Sequence, residues 1–192
     1  TRAIIKIKSV DSKMLEGGVG LIRLKHFQSN TISELEINLR RLQRLPSFKG
    51  IILDLRNNPG GLLDQAISVS DMFLQAGPIV TTASSRVQKT EHAKQDNFEG
   101  SFPLILLVNN GSASASEIVS AALKENNRAL LVGDRTFGKG SVQILLDLND
   151  GNALKLTVAK YLAASGQEIQ NIGVYPDIQL YPSVVHKDGI ML

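Results

Sequence analysis

Apolar residues along the chain recur at two periods, and the switches between them divide it into strands and helices. Compact apolar runs at Gly20 to Leu24, Gly50 to Leu55, Pro103 to Val108, Ala129 to Val132, Ser141 to Leu148 and Leu154 to Tyr161 predict six strands. Several carry apolar residues on both faces, the pattern of a covered sheet. Between them the spacing becomes helical. Thr31-Ile32-Ser33-Glu34 has the form of a capping box and opens a helix with Leu35, Leu39 and Leu42 on one stripe. A second helix is predicted after Pro59-Gly60-Gly61, with Ala66, Ile67, Val69, Met72 and Phe73 available for burial. A third starts near Ser114 and runs through Ile118, Val119, Ala122 and Leu123 to Asn126-Asn127. This alternation predicts an α/β fold, a mainly β sheet buried between flanking helices. Residues 81–101 are polar, show no clean period and are expected to form a mobile surface loop. No internal repeat, heptad array or low-complexity tract interrupts the pattern.

Length and composition narrow this picture. At 192 residues, 43% of them hydrophobic, the chain is long enough to bury a substantial core as one domain. Its apolar runs fall far short of the roughly 18 residues that a membrane span needs, so a soluble chain without stable membrane insertion is expected. With no cysteine, a disulfide, a thiolate metal site and a cysteine nucleophile are all excluded, and neither a reducing nor an oxidising compartment is favoured. The net charge of +3 is small. The basic stretch Arg40-Arg41-Leu42-Gln43-Arg44 reads as the solvated face of a helix whose Leu39, Leu42 and Leu45 face the core, so nucleic acid is not an expected partner. Because Thr1 is not preceded by methionine or a signal peptide, the chain is expected to be a processed form or a piece of something longer.

Three runs look built for chemistry. Ser114 lies in Asn110-Gly111-Ser112-Ala113-Ser114-Ala115-Ser116-Glu117, and Ser-x-x-Glu is also the spacing of an ordinary N-cap. A helix N-terminus nonetheless suits a nucleophile, because its free amides and positive potential favour a developing oxyanion. Small neighbours at 111, 113 and 115 would admit a peptide backbone. Lys139 lies in Thr136-Phe137-Gly138-Lys139-Gly140-Ser141-Val142-Gln143. A lysine between glycines either points into water from a turn or tucks inward, where a dehydrated amine serves as a base. Phe137 and Val142 are candidate sources of that dehydration, and Arg135 of like-charge repulsion. Gln143, four positions on along an extended chain, would share a face with Lys139 and orient its amine. The third run, Asp54-Leu55-Arg56-Asn57-Asn58-Pro59-Gly60-Gly61, ends a strand in paired glycines. It is either a plain strand-to-helix turn or an oxyanion hole made of backbone amides. Asp54 and Arg56 read as a structural ion pair. No Gly-x-Ser-x-Gly elbow occurs, and His26, His92 and His186 lie outside these motifs, which makes a serine–histidine triad the weaker reading.

These three runs, together with Gly173-Val174-Tyr175-Pro176-Asp177 and in the same order, resemble the carboxyl-terminal processing (tail-specific) proteases of peptidase family S41 over nearly the whole chain. The resemblance implies an α/β core related to the ClpP–crotonase spiral. Residues 1–192 would form the protease core, with about 1–19 and 178–192 as peripheral segments. It implies Ser114 as nucleophile, Lys139 as general base and Gln143 as the residue that holds the lysine. The oxyanion hole would combine the Ala115 amide with that of Gly60 or Gly61. Most members carry a PDZ domain that binds the substrate's C-terminus. None is visible here, and Thr1 to Val10 resembles the stretch that follows one, so such a domain is expected in the full-length protein. Substrates would be unfolded C-terminal tails of proteins, cleaved by acyl transfer without metal or organic cofactor, and the place of action would be the bacterial periplasm. Two departures stand out: Ala163-Ala164-Ser165-Gly166 where many members have Thr-Pro-Ser-Gly, and Glu125 where some have aspartate. Two alternatives come from other classes, a non-catalytic S41-like binding module and a crotonase-like acyl-CoA enzyme.

Overall fold

A computed structural model describes residues 8–97, 99–148, 151–181, 184–186 and 189–191. Thr1 to Ile7 lie outside the described residues. The main sheet joins β1 (Val10–Met14), β2 (Val19–Leu24), β3 (Gly50–Asp54), β6 (Leu104–Val108), β7 (Leu130–Gly133) and β10 (Ile178–Gln179), in the order β1-β2-β3-β6-β7-β10. β1 runs antiparallel to β2, and every other pairing is parallel. Both terminal segments of the chain thus supply edge strands. The parallel strands are joined through α1 (Thr31–Gln43), α2 (Leu63–Phe73) and α3 (Ala115–Glu125). α1 packs on β1 and β2 and against α2, α2 packs against α3, and α3 reaches β7 and β4 (Pro78–Ala83). One sheet face, with Ile22, Leu24, Leu53, Leu106 and Val108, is fully buried. The other, with Leu21, Ile52, Ile105 and Leu107, is half-buried.

The helices follow their apolar stripes. α1 buries Leu35, Leu39 and Leu42, one face of an amphipathic surface helix. α3 is buried from Ala115 to Leu123, which makes it the central element, and it ends at Asn127 with φ 55°, a left-handed residue beyond the C-cap. Three expectations are corrected. Asn30, not Thr31, holds the N-cap position of α1, and its side chain makes no capping hydrogen bond. The Thr31 hydroxyl accepts from Gln28 N–H and donates to the His26 carbonyl, while Glu34 Oε2 takes the Ser9 and Val10 amides and so clamps the start of β1. Leu45 lies beyond the helix and is 41% exposed.

The third correction concerns residues 81–101. β4 pairs with β5 (Gln88–His92) as an antiparallel hairpin, and the Thr81 and Thr90 hydroxyls are 2.8 Å apart across it. β5 was hidden because an exposed edge strand needs backbone partners but no apolar period, and its Lys89 and Glu91 are the charged residues such edges carry. The hairpin belongs to a second, antiparallel sheet, β5-β4-β9-β8, with β8 (Ser141–Asp147) and β9 (Ala153–Leu162). β11 (Val184–His186) and β12 (Gly189–Met191) pair antiparallel as a separate two-stranded sheet.

Candidate active site

The N-terminus of α3 is where the three motif runs meet. Ser114 precedes the helix with φ 55° and ψ −113°. An N-cap ordinarily has extended backbone, so capping alone does not call for this conformation. Sparse backbone geometry of this kind costs on the order of 1–3 kcal/mol and survives only where neighbours over-determine it. Here they do: Ser114 N–H donates to Glu117 Oε2 at 2.8 Å, and the Ser114 carbonyl accepts from Glu117 N–H and Ile118 N–H. Ser116 N–H goes to Ala113 O, which leaves Ala115 N–H as the helix-start amide with no partner among the described residues.

Asn57-Asn58 zips the strand-to-helix turn onto this segment. Asn58 O accepts from Ala113 N–H and from the Ser116 hydroxyl, Asn58 Nδ2 donates to the Leu24 carbonyl, and Asn57 exchanges two hydrogen bonds with the Asn109 side chain. Gly60 then passes directly over Ser114. A Cβ there would stand 2.9 Å from Ser114 Cβ and 2.6 Å from the Ala113 carbonyl oxygen, and its φ is 99°. Of the two candidate amides, Gly60 N–H is held by Asn58 Oδ1, whereas Gly61 N–H has no partner among the described residues. Asp54 and Arg56 form a bidentate ion pair, as expected, with both bonds at 2.9 Å.

The lysine run arrives from the other side, and Glu117 receives it. This side chain is fully buried. Its Oε1 accepts from the Thr136 hydroxyl and Gly138 N–H, and its Oε2 accepts from Lys139 N–H as well as Ser114 N–H. Phe137 N–H adds a bond to the Ser112 carbonyl. Behind the run, Val174 N–H donates to Thr136 Oγ1 and Thr136 N–H to Val174 O, so Gly173 to Asp177 is a backing strap. Lys124, on α3, fastens that strap through the Tyr175 carbonyl and Asp177. The two departures from the family pattern meet in space, Glu125 accepting from both Ser165 N–H and Ser165 Oγ.

The Lys139 side chain itself is exposed. Gly138 and Gly140 do not tuck it inward. They let residues 138–140 lie against the 169–171 backbone, where a Cβ on Gly140 would stand 2.5 Å from Gln170 N. Phe137 is 58% exposed, Val142 packs toward the core, and Arg135 turns to the Tyr175 ring and the Ile172 carbonyl, so none of the three surrounds the amine as expected. Residues 136–140 are not extended strand, and a register shift lies between Val142 and Gln143, so simple alternation does not relate Lys139 to Gln143. Gln143 Nε2 donates to Thr157 Oγ1 instead. Among the described residues no hydrogen bond joins Ser114 Oγ, Lys139 Nζ and Gln143. His26 and His92 are exposed and bond to neither Ser114 nor Lys139, and the side chain of His186 lies outside those described.

In the sequence Glu117 reads only as the glutamate of a capping box, and Asn58 only as part of a turn. The spacing Ser-x-x-Glu was the one available signal for the first. For Asn58, nothing local distinguishes a buried amide that bridges three segments from a turn residue.

The chain matches the model of "Peptidase family S41" over residues 18–180. It belongs to that family. A carboxy-terminal-processing protease of Bartonella bacilliformis is 47% identical over 182 residues, covering 92% of this chain and 42% of the relative. The carboxy-terminal processing protease CtpA of Bacillus subtilis is 39% identical over 183 residues, 93% of this chain and 38% of the relative. Among solved structures, a photosystem II D1 C-terminal processing protease superposes with a TM-score of 0.84 at 36% identity, over 97% of this chain and 52% of that one. This S41 chain therefore spans about half or less of the length of these relatives. None of its described helices is long and apolar enough to cross a membrane.

Proposed function

We propose that this chain is the catalytic core of a serine endopeptidase that cleaves peptide bonds in C-terminal regions of protein substrates. The observation that carries this reading is the meeting of the serine, glycine and lysine runs around the strained backbone of Ser114. In the proposed reaction neutral Lys139 takes the Ser114 proton as Oγ attacks the scissile carbonyl. The amide of Ala115, with Gly61 the available amide of the glycine pair and Gly60 the residue that opens the space, stabilises the oxyanion. The protonated amine then gives its proton to the leaving nitrogen, and water hydrolyses the acyl-enzyme. Loss of water favours the neutral form of an amine. A polypeptide laid across Phe137 and Lys139 would exclude that water, and Gln143 would then orient the amine.

Unfolded tails are the fitting substrates, because an extended chain can enter a surface cleft and add main-chain hydrogen bonds at a strand edge. The greater length of the relatives leaves room for a PDZ domain in the full-length protein. By the family resemblance the place of action is the bacterial periplasm, which cell fractionation would test. The reaction is tested by mass spectrometry of an unfolded protein incubated with the chain and with Ser114→Ala and Lys139→Arg. Both substitutions should abolish cleavage, since a guanidinium stays protonated and accepts no proton. Substantial activity in Lys139→Arg would remove lysine as the base.

A further inference from the structure

We infer that Glu117 is a positioning residue that sets the nucleophile against the base, an assignment that rests on the serine–lysine reading above. A capping-box glutamate reaches back to its own N-cap amide, and glutamate is almost never fully buried unless paired. Glu117 is fully buried, and among the described residues only one of its four hydrogen bonds goes to the N-cap. The other three reach into the lysine run, 19 to 22 residues away in sequence.

One carboxylate oxygen, Oε2, joins the two segments. Ser114 N–H and Lys139 N–H both donate to this single oxygen, each at 2.8 Å, so their two nitrogens lie within twice that distance. The backbones of nucleophile and base are thereby referenced to one atom, while the lysine side chain keeps the freedom to meet the hydroxyl. Oε1 prevents rotation about this anchor by holding Thr136 Oγ1 at 2.6 Å and Gly138 N–H at 2.7 Å.

Four donors match the lone-pair sites of a carboxylate, which is acceptor-only. Glutamine would turn an N–H₂ toward two of the four, and aspartate is one methylene too short to reach both segments. Displacing a reacting group by about 1 Å costs roughly a hundredfold in rate. A loss of Glu117 should therefore appear in kcat rather than in substrate binding.

The test compares Glu117→Gln, Glu117→Asp and the unaltered protein for hydrolysis of an unfolded protein. It also measures the rate at which a fluorophosphonate labels Ser114 and the pH–rate profile of each form. Glu117→Gln is expected to melt cooperatively and to lose about a hundredfold in kcat with little change in KM. Its labelling rate should fall in parallel and the midpoint of its pH profile should move, with Glu117→Asp recovering part of the rate. A merely structural role would scale activity with the folded fraction and leave the pH midpoint in place. That result, or kcat close to that of the unaltered protein, overturns the proposal. If Glu117→Gln does not fold, Thr136→Val removes one donor to the same carboxylate. It should lower kcat and move the pH midpoint, and an unchanged kcat and profile would overturn the proposal equally. Failure of the serine–lysine reading itself shows differently, as an unlabelled Ser114 or an active Lys139→Arg in otherwise unaltered protein.

Discussion

Ser112, Ser114 and Ser116 alternate along one short run and end in three different environments. The Ser112 hydroxyl donates to the Leu55 carbonyl and accepts from Asn109 N–H, and Ser116 Oγ donates to Asn58 O. Both are fully buried structural hydroxyls, and Ser114 alone sits at the strained helix start. Ser112→Ala and Ser116→Ala are each expected to lower stability by about 1–3 kcal/mol, the range for a lost buried hydrogen bond, while the folded molecules still hydrolyse peptide. Ser114→Ala should remove hydrolysis at a stability cost of about 0.5–2 kcal/mol, that of a cap. Urea titrations and hydrolysis assays on the three variants check the contrast, and equal loss of activity in all three would leave no special role for Ser114. That Ser114 would stand at the start of a helix was legible in the sequence from the spacing Ser-x-x-Glu. The exposure of Lys139 was not, because two flanking glycines fit a turn, a tucked amine or a backbone contact equally well.

At the scale of elements, the glycine turn 57–61 and helix α3 make one unit, and Gly60 is the contact between them. Gly60→Ala would combine a positive φ with a Cβ 2.6 Å from a backbone oxygen. It is expected to cost on the order of 3 kcal/mol and to abolish hydrolysis. Gly151→Ala is the control, since its φ is also positive but no atom stands within 4 Å of the added Cβ. It should cost only about 1–2 kcal/mol and leave activity intact, which denaturation and hydrolysis assays on both variants would show.

β9 carries a second element-scale prediction. Tyr161, whose N–H donates to the Gly140 carbonyl beside Lys139, is buried, and burial raises its pKa above the ordinary value of about 10. Below pH about 10 the phenol is protonated in both states and its contribution is complete. As pH rises through about 10 toward the folded value, the unfolded chain loses its proton first and stability falls. Tyr161→Phe should flatten this alkaline loss, measurable as unfolding free energy at pH about 8 and about 10.5. An unchanged slope would mean that other groups control it.

For the whole molecule, the proposed function places recognition of a substrate's free C-terminus on a PDZ domain rather than on these residues. The chain is therefore expected to cleave an unfolded peptide and its C-terminal amide with comparable kcat/KM. A large drop on amidation would show that the core itself reads the carboxylate.

The sequence by itself determined the class of fold, the order of six strands and three helices, and the runs that meet at the start of α3. These depend on local periodicity, on turn residues and on motifs short enough to read along the chain. Only the tertiary structure decided that residues 78–92 form a hairpin, because the backbone bonds of an edge strand leave no apolar pattern. It also decided that Ser114 and Lys139 share Glu117. Such an arrangement depends on where α3 and the 136–139 run are brought together by the sheet and by the strap at 173–177, and no spacing along the chain encodes that distance.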